Sequence, residues 1–175
     1  MCSLEPFKID LKGLKDGDTT FEFSLDDGFF EAVGSSEVHK GKVCVGLLIH
    51  KVAERYFDLD FHIEGEVIVP CDRCLDDIPQ DIKTDTHLVA RFGEDYSEKD
   101  ELVIVDENEG IIDISWFVYE FVVLNIPIKH VHAPGKCNRA MIEMLTEHYS
   151  ATRSSGGVDE KTIDPRWSEL LKLKN

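Results

Sequence analysis

The sequence predicts an α+β fold: an antiparallel, partly barrel-like β-sheet followed by a buried apolar helix, a second amphipathic helix and a short C-terminal helix. The order of its patterns carries this reading. Period-two alternation fills the first half, helical apolar patterns come after Gly110, and strands before helices is the α+β order rather than the alternating α/β one. A chain of 175 residues suits one domain, read here as 1–150, with a flexible linker at 151–163 and the last helix at 164–175.

The elements follow in turn. Phe7 to Leu11 reads as a strand, Lys15-Asp16-Gly17-Asp18 as a turn, and Thr20 to Leu25 as a second strand. Asp26 is a cap for a short helix through Phe30 to Val33, since its carboxylate can accept free first-turn amides. Val43 to Ile49 is nearly all apolar, which predicts a strand covered on both faces with Cys44 in the core. Phe57, Leu59, Phe61 and Ile63 alternate with Asp58, Asp60 and His62, the pattern of a half-buried strand. Gly65 permits a bulge or bend, Val67 and Val69 resume the alternation, and Pro70 closes the strand.

Ile82 to Phe92 gives another strand, and Leu102 to Val105 a short one within an acidic run best read as solvated surface. Asp113 or Ser115 starts a helix that Pro127 stops, and Trp116, Phe117, Val118, Phe121, Val122 and Leu124 cover most of its circumference, which predicts burial all round. Asn138 caps a second helix to about Tyr149, with Met141, Met144 and Leu145 on one face. The linker contains Ser154-Ser155-Gly156-Gly157. Beyond it Asp164 caps and Pro165 opens a short helix whose Trp167, Leu170 and Leu171 form an apolar stripe that docks on the body or on a partner.

Composition excludes several functions. Lys and Arg number 19 against 35 Asp and Glu, a net charge of −16, and such a field repels phosphate backbones. DNA binding is not expected. The most apolar stretch, Ile111 to Ile128, is broken by Asp113, Ser115, Glu120 and Asn125, so no membrane span is expected. The start has no charged region followed by an apolar run, which predicts a cytoplasmic protein. There is no Gly-rich phosphate loop, GxSxG elbow or HExxH pair, so an enzyme is not expected.

The chief chemical signal is Cys71-Asp72-Arg73-Cys74. Two cysteines two residues apart can aim both sulfurs at one tetrahedral ion. The missing half of a zinc site falls to Cys137 and to His130 or His132, with His132 preferred because Pro134-Gly135 is a natural turn between it and Cys137. Such a site would be structural. The alternative is three free thiols near a turn. A redox pair is disfavoured, because no helix begins after Cys74 to lower a thiol pKa, while Cys137 ahead of the Asn138 cap leaves a thiol enzyme as a rival.

The segment Val67-Ile68-Val69-Pro70-Cys71-Asp72-Arg73-Cys74-Leu75 resembles the YceD family of large ribosomal RNA subunit accumulation proteins. The Ile112-Asp113-Ile114-Ser115 helix start, the Asn125-Ile126-Pro127-Ile128 helix end, the Cys-containing loop and Asp164-Pro165-Arg166-Trp167 agree in order. Many relatives carry a second cysteine pair after the apolar helix, where this chain has Cys137 and nearby histidines, which changes the ligand set to three cysteines and one histidine. The resemblance implies a non-enzymatic role in accumulating large-subunit ribosomal RNA and in ribosome assembly. Net acidity directs the expectation toward a basic ribosomal protein or assembly factor as partner. The alternative is direct contact with large-subunit ribosomal RNA through Arg73, Lys129, Lys136 and Arg139 around the knuckle.

Overall fold

The structure, a computed structural model, describes residues 4–154 apart from 36, 39, 54, 94–96, 100 and 101. After a 3₁₀ turn at Glu5–Phe7, its strands are β1 (Lys8–Asp10), β2 (Gly17–Leu25), β3 (Lys40–Ala53), β4 (Tyr56–Pro70), β5 (Asp77–Gly93), β6 (Ser97–Lys99), β7 (Leu102–Asp106) and β8 (Ile111–Asp113). The helices are α1 (Asp27–Val33), α2 (Ser115–Leu124) and α3 (Arg139–Ser154). This is a mixed α+β fold with a mostly antiparallel sheet, as the order of patterns predicts.

Six strands pair in the order β2-β3-β4-β5-β7-β6, and β1 pairs with β8 in a separate ribbon. Among the described residues the sheet does not close into a barrel. All pairings are antiparallel except β5 with β7, where Val89 faces Leu102 in parallel register. The three central strands are long, and β5 extends at its start beyond the apolar stretch that predicts it, through Pro79 and Gln80. There the neighbouring β4 backbone supplies the pattern that side chains do not.

Alternation sorts the sheet into two faces. Val43, Val45, Leu47 and Ile49 on β3 and Phe57, Leu59, Phe61, Ile63, Val67 and Val69 on β4 are buried, beneath α1, α2 and the β1–β8 ribbon. Aromatic contacts lock the layers: Phe61 meets Phe121 of α2 at 5.3 Å between ring centroids, and Phe7 meets Phe29 of α1 at 4.9 Å. Asp26 caps α1, its Oδ1 accepting from the Phe29 amide at 3.1 Å. Asp113 Oδ1 accepts from the Ser115 amide and hydroxyl at the start of α2.

Several expectations are corrected here. β3 is covered on one face only, because helices lie on one side of the sheet; Cys44 is exposed and not core. For the same reason α2 buries Phe117, Val118, Tyr119 and Val122 but leaves Trp116 and Leu124 exposed. Gly65 marks no bulge, since β4 keeps register with both neighbours there. Its requirement is proximity: a Cβ at Gly65 would lie 2.2 Å from the Lys42 carbonyl oxygen and 2.6 Å from Val43 Cα. The first strand is shorter than Phe7 to Leu11, and α3 runs to Ser154, into the stretch read as linker. The C-terminal helix and the rest of the linker lie outside the described residues.

The open face of the sheet is built of rows of directly opposed residues. Glu22, Gly46, His62 and Asp85 form one row, Thr20, Leu48, Asp60 and His87 the next, and Ser24, Cys44, Glu64 and Lys83 the row on the other side. Asp18, His50 and Asp58 extend the face at one end, and Lys42, Glu66 and Asp81 at the other.

Candidate metal centre

The Cys71–Cys74 turn is the tip of the β4–β5 hairpin. The Cys71 amide donates to the Asp76 carbonyl at 2.9 Å, and the Leu75 amide donates to the Cys71 carbonyl at 2.9 Å, closing the turn around the sulfurs. Leu75 adopts φ 61°, a left-handed conformation rare for a branched side chain, which carries about 1–2 kcal/mol of strain.

The second half comes from the segment between α2 and α3. A turn at Ala133 to Lys136, its amide-to-carbonyl bond 3.0 Å and Gly135 at φ 80°, folds Cys137 back toward His132. Asn138 then caps α3, its Oδ1 accepting from the Ala140 amide at 3.1 Å, while its side-chain nitrogen donates to Asp76 on the hairpin.

Cys71, Cys74, His132 and Cys137 converge, with their donor atoms all within 4.8 Å of one another. His132 Nδ1 lies 3.4 Å from Cys74 Sγ. Ligands on a tetrahedral zinc ion stand about 3.5–3.8 Å apart, given bonds of about 2.0–2.3 Å, so a small contraction would close the shell. Cys71 and Cys74 are buried, and His132 and Cys137 half-buried. Three thiols and an imidazole are soft and borderline donors that suit zinc, and four protein ligands leave no coordination position for a substrate. The arrangement fits a structural ion.

Electrostatics divides the thiols. Burial would push Cys71 up, but the amides of Arg73, Cys74 and His132 and the His132 ring outweigh it and bring the thiol down to about 6. Partial burial and the neighbouring Cys74 and Cys71 sulfurs push Cys137 above the ordinary range.

His130 plays another part. Its amide donates to Asp72 Oδ2 at 2.8 Å, its carbonyl accepts from the Asp72 amide at 3.0 Å, and its ring Nε2 lies 3.4 Å from Asp72 Oδ1. Asp72 thus fastens the loop carrying His132 to the hairpin tip. Sequence reasoning missed Asp72 and Asp76, because their partners lie far along the chain and nothing local marks them. An acidic residue between the two cysteines was the one available hint.

The basic residues are only partly gathered. Arg73 and Arg139 line a hollow of about 370 Å³ beside Cys137, shared with Glu143. Lys129 and Lys136 are exposed on the same loop but do not line it. Trp167, Leu170 and Leu171 lie outside the described residues. Among the described residues no helix is long and apolar enough to cross a membrane.

Residues 59–174 match the family described as large ribosomal RNA subunit accumulation protein YceD, a span that includes most of β4, all of β5, the cysteine group and both later helices. The uncharacterized protein YlbN of Bacillus subtilis (strain 168) is 33% identical over 124 residues, covering 70% of this chain and 69% of the relative. No solved structure matches significantly. The chain therefore belongs to the YceD family, which is named for accumulation of large-subunit ribosomal RNA.

Proposed function

We propose that the protein is a non-enzymatic cytoplasmic factor that supports large-subunit ribosomal RNA accumulation and ribosome assembly by binding a basic protein partner. Charge carries this reading: with 35 acidic side chains against 19 basic ones, long-range attraction favours a cationic protein over an RNA backbone. Family membership supplies the process and acidity the kind of contact.

Zinc at Cys71, Cys74, His132 and Cys137 is the structural component of the proposal. The ion would join the β4–β5 tip to the segment ahead of α3, and its binding energy would add to folding. The donor set and its 4.8 Å compass support it.

A second reading has one observation in its favour. Arg73 and Arg139 share a hollow next to the cysteine group, so a local phosphate contact can form on an acidic protein.

Affinity capture of the tagged protein from native lysate at near-physiological salt, with and without nuclease, separates the two. Nuclease-resistant retention of one or a few basic proteins is the expected result. Retention of large-subunit ribosomal RNA that disappears with nuclease, with no protein left, would contradict it and favour the arginine hollow.

A further inference from the structure

The open face of the sheet is uncovered by any described element, and its chemistry is one-sided. Carboxylates stand in every row from Lys42 to His50, whereas Lys42 and Lys83 are the only permanent cations in those rows. His62, His87 and His50 each pair with the aspartate directly opposite, and Lys83 pairs with Glu64, all at exposed positions where an incoming cation can compete for the carboxylate.

The face also has a shape. Along its middle β3 presents Cys44, Gly46 and Leu48, short or apolar side chains, between the acidic flanks of β2 and β4. Two hollows of about 590 and 770 Å³ meet at Gly46 and His62. Flanking strands each about 4.8 Å from β3 set a trough about 10 Å across, the width of one extended chain with its side chains.

We infer that this trough is the docking surface for an extended, lysine- or arginine-rich segment of a protein partner, with the aliphatic stems along Leu48 and Gly46 and the cationic heads on Glu22, Asp60, Glu64 and Asp85. The inference rests on the protein-partner reading above and deepens it. A nucleic acid would meet the same carboxylates as repulsion.

Gly46 permits a test that leaves charge untouched. A Cβ there would meet only His62 at an ordinary 3.9 Å, and its backbone is not left-handed, so Gly46→Phe fills the trough without forcing the strands apart. Binding of a fluorescent ten-residue peptide of alternating lysine and alanine to the full chain is measured by anisotropy. Gly46→Phe is expected to weaken it about tenfold or more with melting unchanged. The triple change Asp60→Asn, Glu64→Gln, Asp85→Asn should do the same, while neutralising Glu31, Glu109 and Glu147, equal in charge but off the face, should cost far less.

Equal losses from the two triple variants, or full binding by folded Gly46→Phe, would overturn the inference. Lysate capture separates the levels: if the wild type retains a basic protein and Gly46→Phe retains it equally, the trough fails and the partner reading stands. If the wild type retains only RNA, both fail.

Discussion

The sheet and the cysteine knuckle sit at opposite extremes of how this fold is held together. β3, β4 and β5 are joined by long antiparallel ladders over a continuous layer of buried apolar side chains. The knuckle end has few such contacts: α3 is mostly exposed, and the loop ahead of it is tied by Asp72, Asp76 and four convergent donor atoms. One region is stabilised by burial. The other depends on a handful of polar contacts and, on the present account, on zinc.

The largest effect should come from the sheet. Phe61 is 2% exposed and packs edge-on against Phe121, so Phe61→Ala should cost about 3–5 kcal/mol in urea unfolding, equally with and without chelator. A loss that depends on chelator would blur the division between the regions.

Cys71→Ser should come next, abolishing stoichiometric zinc by mass spectrometry and lowering stability by about 3 kcal/mol when zinc is near a hundredfold above its dissociation constant. Undiminished stability in fully metal-free wild type would break the comparison on the knuckle side.

Within the sheet, two glycines sharpen it. Gly65→Ala, which drives a Cβ into the Lys42 carbonyl, should cost about 1–3 kcal/mol, whereas Gly46→Ala should stay within about 0.5 kcal/mol of wild type by thermal melting.

Asp72→Asn should act mainly through the metal, with little effect on the zinc-free chain. It keeps the four ligands but weakens the clasp on the His130 loop, so zinc affinity should fall about tenfold in a chelator competition while stoichiometry stays at one. An unchanged affinity would remove Asp72 from the site.

The same contrast explains what could be read in the sequence. Alternation at Phe57 to Ile63 reports which side of a strand faces water, so the β4 core positions were legible residue by residue. The apolar run Val43 to Ile49 misled because a continuous pattern does not say whether a second layer exists; only the placement of α1 and α2 decides that Cys44 is exposed. The parallel β5–β7 pairing was hidden, since register between distant strands leaves no local mark. At the knuckle, ligand chemistry and the Pro134-Gly135 turn point to Cys71, Cys74, Cys137 and His132, and the geometry brings those four side chains together. The Asp72–His130 clasp was not legible, because it depends on where the hairpin tip meets a loop 58 residues away, and no residue beside Leu75 marks its left-handed backbone.

The most direct test of this account is hydrogen exchange on the full chain, zinc-loaded against chelated, read by mass spectrometry at peptide resolution. Chelation should speed exchange at residues 71–76 and 126–138 while β3, β4 and the buried part of β5 keep their protection. Exchange at the knuckle that is the same with and without zinc, or a loss of protection spread evenly over the sheet, would contradict it.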